Sequence, residues 1–337
     1  MTDDLYGNVR ESVSSYVDRG VTPLITVGVT CFNASVTIER ALDSALSQDW
    51  PNFEVLVVDD GSTDGSRAIL ARRAAADPRL RVIEHPANCG CAAARNTLVE
   101  AAKGEFLAFF DDDDVSRADR LRLQHDRIVA YEREAATQWV ACYASGQRVY
   151  PNGYVMSIRA AGADGSPPVG HVMADYLLFN KRCPNVFYGA GTPTCSLMAR
   201  TGVFRNLGGF DTAMRRQEDV DFAIRLAFKG GHFIGIPELV LTQNATGGSE
   251  KSARVEFESF LRLLDKNADF LRANDSYGYM RLWSELRYLH FAGHDARAIL
   301  VLARLMLSYP VRTVRHFAMS ATRRFRHERR MNAPSHG

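Results

Sequence analysis

The chain has 337 residues, 46% of them hydrophobic and 24% charged, with a net charge of +2. Those are the proportions of an ordinary soluble globular protein, long enough for one large domain with an appendage or for two domains. So small a net charge points to no partner by itself. The N-terminus carries Asp3 and Asp4 and lacks the basic and apolar regions of a signal peptide. The late apolar stretch Ala298 to Leu307 is broken by Arg304 and is too short to span a bilayer.

From Leu24 the pattern alternates. "LITVGVT" (24–30) predicts a buried strand, and Ile38, Ala41, Leu42, Ala45 and Leu46 then recur at helical spacing, with Asn33 or Ser35 as the expected cap. "FEVLVVDD" (53–60) predicts a second strand and 64–76 a second helix. "LRVIEH" (80–85), an Ala-rich helix over 91–102 and "EFLAFF" (105–110) complete the series. Strands alternating with helices imply a parallel sheet covered on both faces, with ligands beyond the carboxyl ends of its strands. At those ends stand "TCFN", "DDGSTD" and "DDDD". Beyond residue 139 the alternation loosens. "WVACYASGQRVY" and "TPTCSLMAR" (192–200) read as strands, 151–170 as a Gly/Pro-rich loop, and 218–229 as an amphipathic helix. From Lys251 the pattern is helical. Leu261, Leu264, Ala268 and Leu271 are spaced for one buried face, and Leu286, Leu289 and Phe291 less regularly so.

Four consecutive carboxylates after an apolar strand, Asp111 to Asp114, repel one another unless they are solvated or neutralised. A calcium-binding loop is excluded by Val115 and by the missing glycine. Either the quartet is a solvated turn capping the next helix through Ser116 and Asp119, or it holds Mg²⁺ or Mn²⁺ together with a diphosphate. Asp60 is a turn residue or a carboxylate that accepts hydrogen bonds from a base or ribose, with Gly61 allowing close backbone approach. No Gly-rich phosphate cradle occurs. In "RRQEDVDF" (215–222), Asp219 is either a helix-terminal carboxylate or a general base for an acceptor hydroxyl. Cys89 and Cys91 form a lone pair without zinc-site spacing, so reduced cysteines are expected.

The ordered motifs "ITVGVTCFNA", "FEVLVVDDGSTDGS", "NCGCAAARN" (88–96), "GEFLAFFDDDD", "LGGFD" (208–211 and the preceding Leu207) and "EDVDFAIRL" (218–226) resemble those of family 2 inverting glycosyltransferases over roughly residues 22–245. The resemblance implies an α/β GT-A fold, a Rossmann-like and mostly parallel sheet flanked by helices, with a C-terminal helical extension. It implies a nucleotide-sugar donor, with uridine expected and thymidine or guanosine as alternatives, and Mn²⁺ or Mg²⁺. Asp60 would meet the donor's base, with Thr30 and Asn33 nearby and Arg95 on the nucleotide side. Asp113 would be the metal ligand, and Asp111 or Asp112 would contact the donor sugar or ribose, with the register ambiguous by one residue. Glu218 and Asp219 would be the acidic pair, Asp219 the base. Where many relatives carry a histidine, this chain reads "LTQNATGGSE" (241–250), so Gln243 or Asn244 would have to stand in.

The resulting division is an N-terminal arm over 1–22, a catalytic domain over 23–250 and a helical region with a basic tail over 251–337. The acceptor would be a hydroxyl of a glycan or lipid-linked molecule, in cell-surface polysaccharide synthesis. A catalytically inactive nucleotide-sugar-binding module and a nucleotidyltransferase are the alternatives. Seven arginines between Val311 and Arg330 face only Glu328. They suggest a cytoplasmic chain touching the anionic inner leaflet, or simply a solvated basic face. Nucleic acid is not expected, because only Phe317 and Phe325 interrupt the tail as stacking aromatics.

Overall fold

The computed structural model describes residues 22–244 and 252–318. Its first part follows the alternation: β1 (Ile25–Cys31), α1 (Ile38–Leu46), β2 (Phe53–Asp59), α2 (Ser66–Ala76), β3 (Leu80–Glu84), α3 (Cys91–Ala101) and β4 (Phe106–Asp111). Then come β5 (Val115–Ser116), α4 (Arg120–Ala135), β6 (Val140–Val149), β7 (Val155–Ile158), α5 (His171–Phe179), β8 (Leu197–Arg200), α6 (Thr201–Asn206), α7 (Glu218–Phe228) and β9 (His232–Asn244). Further helices follow, among them α8 (Ala253–Lys266), α9 (Ala268–Ala273), α10 (Tyr277–Phe291) and α11 (Asp295–Ser308). Among the described residues no strand follows Asn244.

The sheet order is β3-β2-β1-β4-β8-β6-β9-β5, with β7 paired to β6. The strands β1 to β4 are mutually parallel as expected, but β8 runs antiparallel to both β4 and β6. Alternate residues of β4 serve opposite faces. Phe106, Ala108 and Phe110 join a core with Val27, Val29 and Leu42, while Leu107 and Phe109 join Leu56, Leu98 and Phe204. Burial of both faces accounts for the uninterrupted apolar runs.

Several local expectations are revised. Helix α1 begins after Thr37, not at Asn33 or Ser35. Asn33 instead sits at φ +49° and links two loops: its N–H donates to Ser62 Oγ at 2.9 Å and its Oδ1 accepts from Thr63 N at 2.8 Å. The segment 192–200 opens with a 3₁₀ turn at Thr194–Ser196 before β8, and the loop over 151–170 contains β7. Phe291 is 57% exposed, whereas Leu264, Leu271, Leu286 and Leu289 are buried. The C-terminal helices share one apolar cluster with Leu178 of α5 and Ile224 of α7, so they pack on the domain that carries the sheet. The residues 1–21, 245–251 and 319–337 lie outside the described residues, and with them most of the N-terminal arm and much of the basic tail.

Candidate active site

The register places the polar clusters side by side. On β1, Thr30 pairs with Val58 of β2 and Asp111 of β4, and Cys31 pairs with Asp59. The loops after β1, β2 and β4 therefore leave the sheet at one edge.

The four aspartates have four different surroundings. Asp111, whose side chain is 34% exposed, lies 3.9 Å from the Arg95 guanidinium. Burial raises its carboxyl, with Arg95 opposing. Asp112 accepts from the Phe32 N–H at 3.0 Å, and burial pushes its carboxyl up to about 7 against that bond. Asp113 is pinned through its main-chain carbonyl, which accepts from Arg40 Nη2 at 3.1 Å and Asn244 Nδ2 at 2.9 Å. Asp114 is buried beside Gln243 and Cys195, and burial with the neighbouring charge of Asp111 raises it to about 7. Its Oδ2 has no hydrogen-bond partner.

An unpartnered buried carboxylate oxygen among raised carboxyls is what a hard divalent cation would relieve. Ligand atoms of Asp111, Asp114 and Cys195 lie within 4.8 Å of one another. Cys195 suits Mn²⁺ or Mg²⁺ poorly, because burial holds its thiol protonated. The fitting donors are carboxylates. Gln243 and Asn244 both reach this edge of the site. Gln243 donates to Cys195 Sγ at 2.9 Å and accepts from Arg148, and Asn244 holds the Asp113 carbonyl.

Asp60 is buried, and its carboxylate accepts from His85 Nδ1 at 2.7 Å, Cys89 N at 3.0 Å and Gly90 N at 2.8 Å. Three of its roughly four acceptor positions are thus occupied. The bonds fix the start of α3, and Arg95 follows about 7.5 Å further along the helix axis at 1.5 Å per residue. Gly61 approaches the chain itself rather than open space. At φ +78°, an added Cβ would lie 2.4 Å from the Ala87 carbonyl carbon. Gly61→Ala should therefore destabilise the fold by about 2 kcal/mol or more, read as a lower urea midpoint. An unchanged midpoint would contradict this packing.

Arg95 joins the two halves of the site. It is 7% exposed, donates from Nη1 to Glu218 Oε1 at 2.6 Å across 123 positions of sequence, and stacks over Phe210 at 5.6 Å. Next to Glu218 stands Asp219, half-buried at the start of α7, its Oδ1 accepting from Val220 N at 2.8 Å. Burial first, then the charge of Glu218, pushes the Asp219 carboxyl up to about 6 despite Arg95 and Arg216.

Two supports escaped the sequence reading. Asn96 clamps the "GGFD" loop, accepting from Phe210 N at 2.7 Å and donating to Phe210 O at 2.8 Å, so two separate motifs form one unit. Arg120 is fully buried and donates to Gln124, Ser116 and the Phe109 carbonyl, with Phe110 beneath it at 4.2 Å. The buried face of α4 also carries Gln124 and Glu132, so nothing in the sequence pattern singles Arg120 out.

The model of Glycosyl transferase family 2 matches residues 26–201, just over half of the chain. The succinoglycan biosynthesis protein ExoO of Rhizobium meliloti is 44% identical over 108 residues, 32% of this chain and 30% of that protein. TuaG of Bacillus subtilis, named for teichuronic acid biosynthesis, is 41% identical over 102 residues, 30% of this chain and 40% of that protein. The matches thus span less than half the length of either relative. The structure of S. aureus TarS 1–349 in complex with UDP-GlcNAc is similar with a TM-score of 0.58 at 20% identity, over 86% of this chain and 82% of that one. The chain belongs to glycosyl transferase family 2.

Proposed function

We propose that the chain transfers a sugar from a nucleotide-diphosphate donor to an acceptor hydroxyl, with inversion at the anomeric carbon. One observation carries the reading: Arg95 gathers Asp111, Glu218 and the neighbouring Asp219 from two separate segments at the edge where β1, β2 and β4 end. Asp219 is then the base that takes the acceptor proton. Asp60, Thr30 and Asn33 border the base and ribose, and Arg95 lies on the nucleotide side. Asp113 is the proposed metal carboxylate, with Asp111 or Asp112 toward the donor sugar. A bound Mn²⁺ or Mg²⁺ would act as a Lewis acid on the leaving diphosphate. TarS in complex with UDP-GlcNAc supports a uridine nucleotide, and ExoO and TuaG support polysaccharide synthesis as the setting.

The acceptor is proposed to be a glycan or lipid-linked hydroxyl, presented to a cytoplasmic chain whose 311–330 segment lies on an anionic membrane. No helix among the described residues is long and apolar enough to cross a membrane.

A thermal-shift panel of nucleotide-sugars with and without Mn²⁺ or Mg²⁺ tests the donor side. A ligand at a hundredfold excess over its Kd should stabilise the fold by about 2.7 kcal/mol. The expected result is a rise in Tm with a uridine diphosphate sugar that is larger with metal and reversed by EDTA. A flat response to every nucleotide-sugar would overturn the reading.

A further inference from the structure

Helix α11 is apolar on two sides. Ala298 and Leu305 point into the C-terminal core, with Val301 and Leu302 packed against it. The opposite stripe carries Ile299 at 66% exposure, Leu300 at 71% and Leu307 at 86%, with Met306 at 41%. The stripe continues past Pro310 onto the helical residues 310–318, where Val311 is 81% and Val314 56% exposed. Of the thirteen exposed large hydrophobic residues in the described chain, seven fall between Ile299 and Phe317. The outward stripe contributes nothing to the core, and a patch so concentrated marks an interaction surface.

Its rim decides the partner. Arg297, Arg304 and Arg315 are exposed and form no ion pair among the described residues, and Asp295 is the one acid on the same stretch. Arg312 is turned inward, donating to the Asp275 carbonyl and Ser276 Oγ. By sequence, residues 319–337 add Arg323, Arg324, Arg326, Arg329 and Arg330 against Glu328. Two copies paired through this face would bring like charges together, whereas anionic phospholipid supplies both the apolar boundary and the countercharge.

We propose that the outer face of α11, continued by Val311 and Val314, lies in the interface of an anionic bilayer, with Leu300 and Leu307 in the acyl boundary. This deepens the membrane contact proposed above by placing it on a folded helix ahead of the basic tail, and it is independent of the transfer chemistry. Flotation of the full chain with phosphatidylglycerol-containing vesicles, against phosphatidylcholine vesicles alone, tests it.

The wild type should float with the anionic vesicles, and so should Asp219→Asn. The double variant Leu300→Asp/Leu307→Asp should partition about tenfold less or weaker still, and Arg297→Glu/Arg304→Glu likewise. Both substitute exposed side chains, and unchanged circular dichroism and Tm would confirm that they fold. A wild type that stays at the bottom overturns any membrane contact. Flotation that is unchanged in Leu300→Asp/Leu307→Asp overturns the α11 surface and leaves the tail as the contact. A dimer that this variant dissolves, without lipid binding, assigns the face to self-association and overturns the proposal.

Discussion

Replacing Asp219 by asparagine is expected to lower kcat by about 10²–10⁴ while leaving donor binding close to that of the wild type, the usual contribution of a general base. The expectation rests on position and on charge. Asp219 opens α7 next to Glu218, and Arg95 ties that neighbour to Asp111 at the end of β4. Asparagine keeps the shape and the acceptor oxygen for Val220 N–H but cannot receive a proton. The pH profile supplies a second reading of the same residue. A base works deprotonated, and the Asp219 carboxyl is raised from 3.8 to about 6. Turnover should therefore fall as the pH drops through about 6 and reach its plateau above it. Near-normal turnover in Asp219→Asn would remove the residue from the mechanism, and an acid limb that survives in a weakly active variant would belong to another group.

Arg95→Met is expected to destabilise the fold by about 3–5 kcal/mol, the range for removing one partner of a buried charge pair. The guanidinium is 7% exposed and faces Glu218 at 2.6 Å and Asp111 at 3.9 Å. Without it two carboxylates remain in a half-buried cleft with their nearest countercharge gone, and the stacking over Phe210 is lost. Urea unfolding would report the loss as a lower midpoint. The double variant Arg95→Met/Glu218→Gln should recover part of it, since one stranded charge is then gone. Arg95 also lowers the Asp219 carboxyl, so whatever activity Arg95→Met keeps should show its acid limb displaced upward. A midpoint shift below about 1 kcal/mol would mean that solvent screens the cluster as it screens a surface pair.

The sheet was readable because its strands are buried on both faces and bounded by turn residues, from Ile25–Cys31 to Phe106–Asp111. The edge that gathers the carboxylates followed from the same alternation. What local pattern could not supply was the assignment of individual groups, since their partners are remote. Asp111, Asp112, Asp113 and Asp114 are identical letters, distinguished by Arg95, by the Phe32 N–H, by Arg40 with Asn244, and by Gln243 with Cys195. Gly61 suggested room for a ligand, yet the space belongs to Ala87 and Asn88 of the same chain. Asp60 read as a ligand group, and what the sequence did not show is that its carboxylate also organises the 85–90 loop. The strand at β8 was legible but its antiparallel direction was not, because a four-residue apolar strand has the same pattern in either direction.

One further contact limits how freely the C-terminal helices can be exchanged. Asp221, two residues beyond Asp219 and 1% exposed, is held by Arg225 of its own helix at 2.8 Å and by Lys266 of α8 at 2.5 Å. The same lysine reaches Asp211 of the glycine-rich turn at 2.8 Å. A chimaera that grafted this sheet onto a foreign bundle would have to restore a cation at that spot, because the helix bearing the proposed proton acceptor is moored to the bundle behind it.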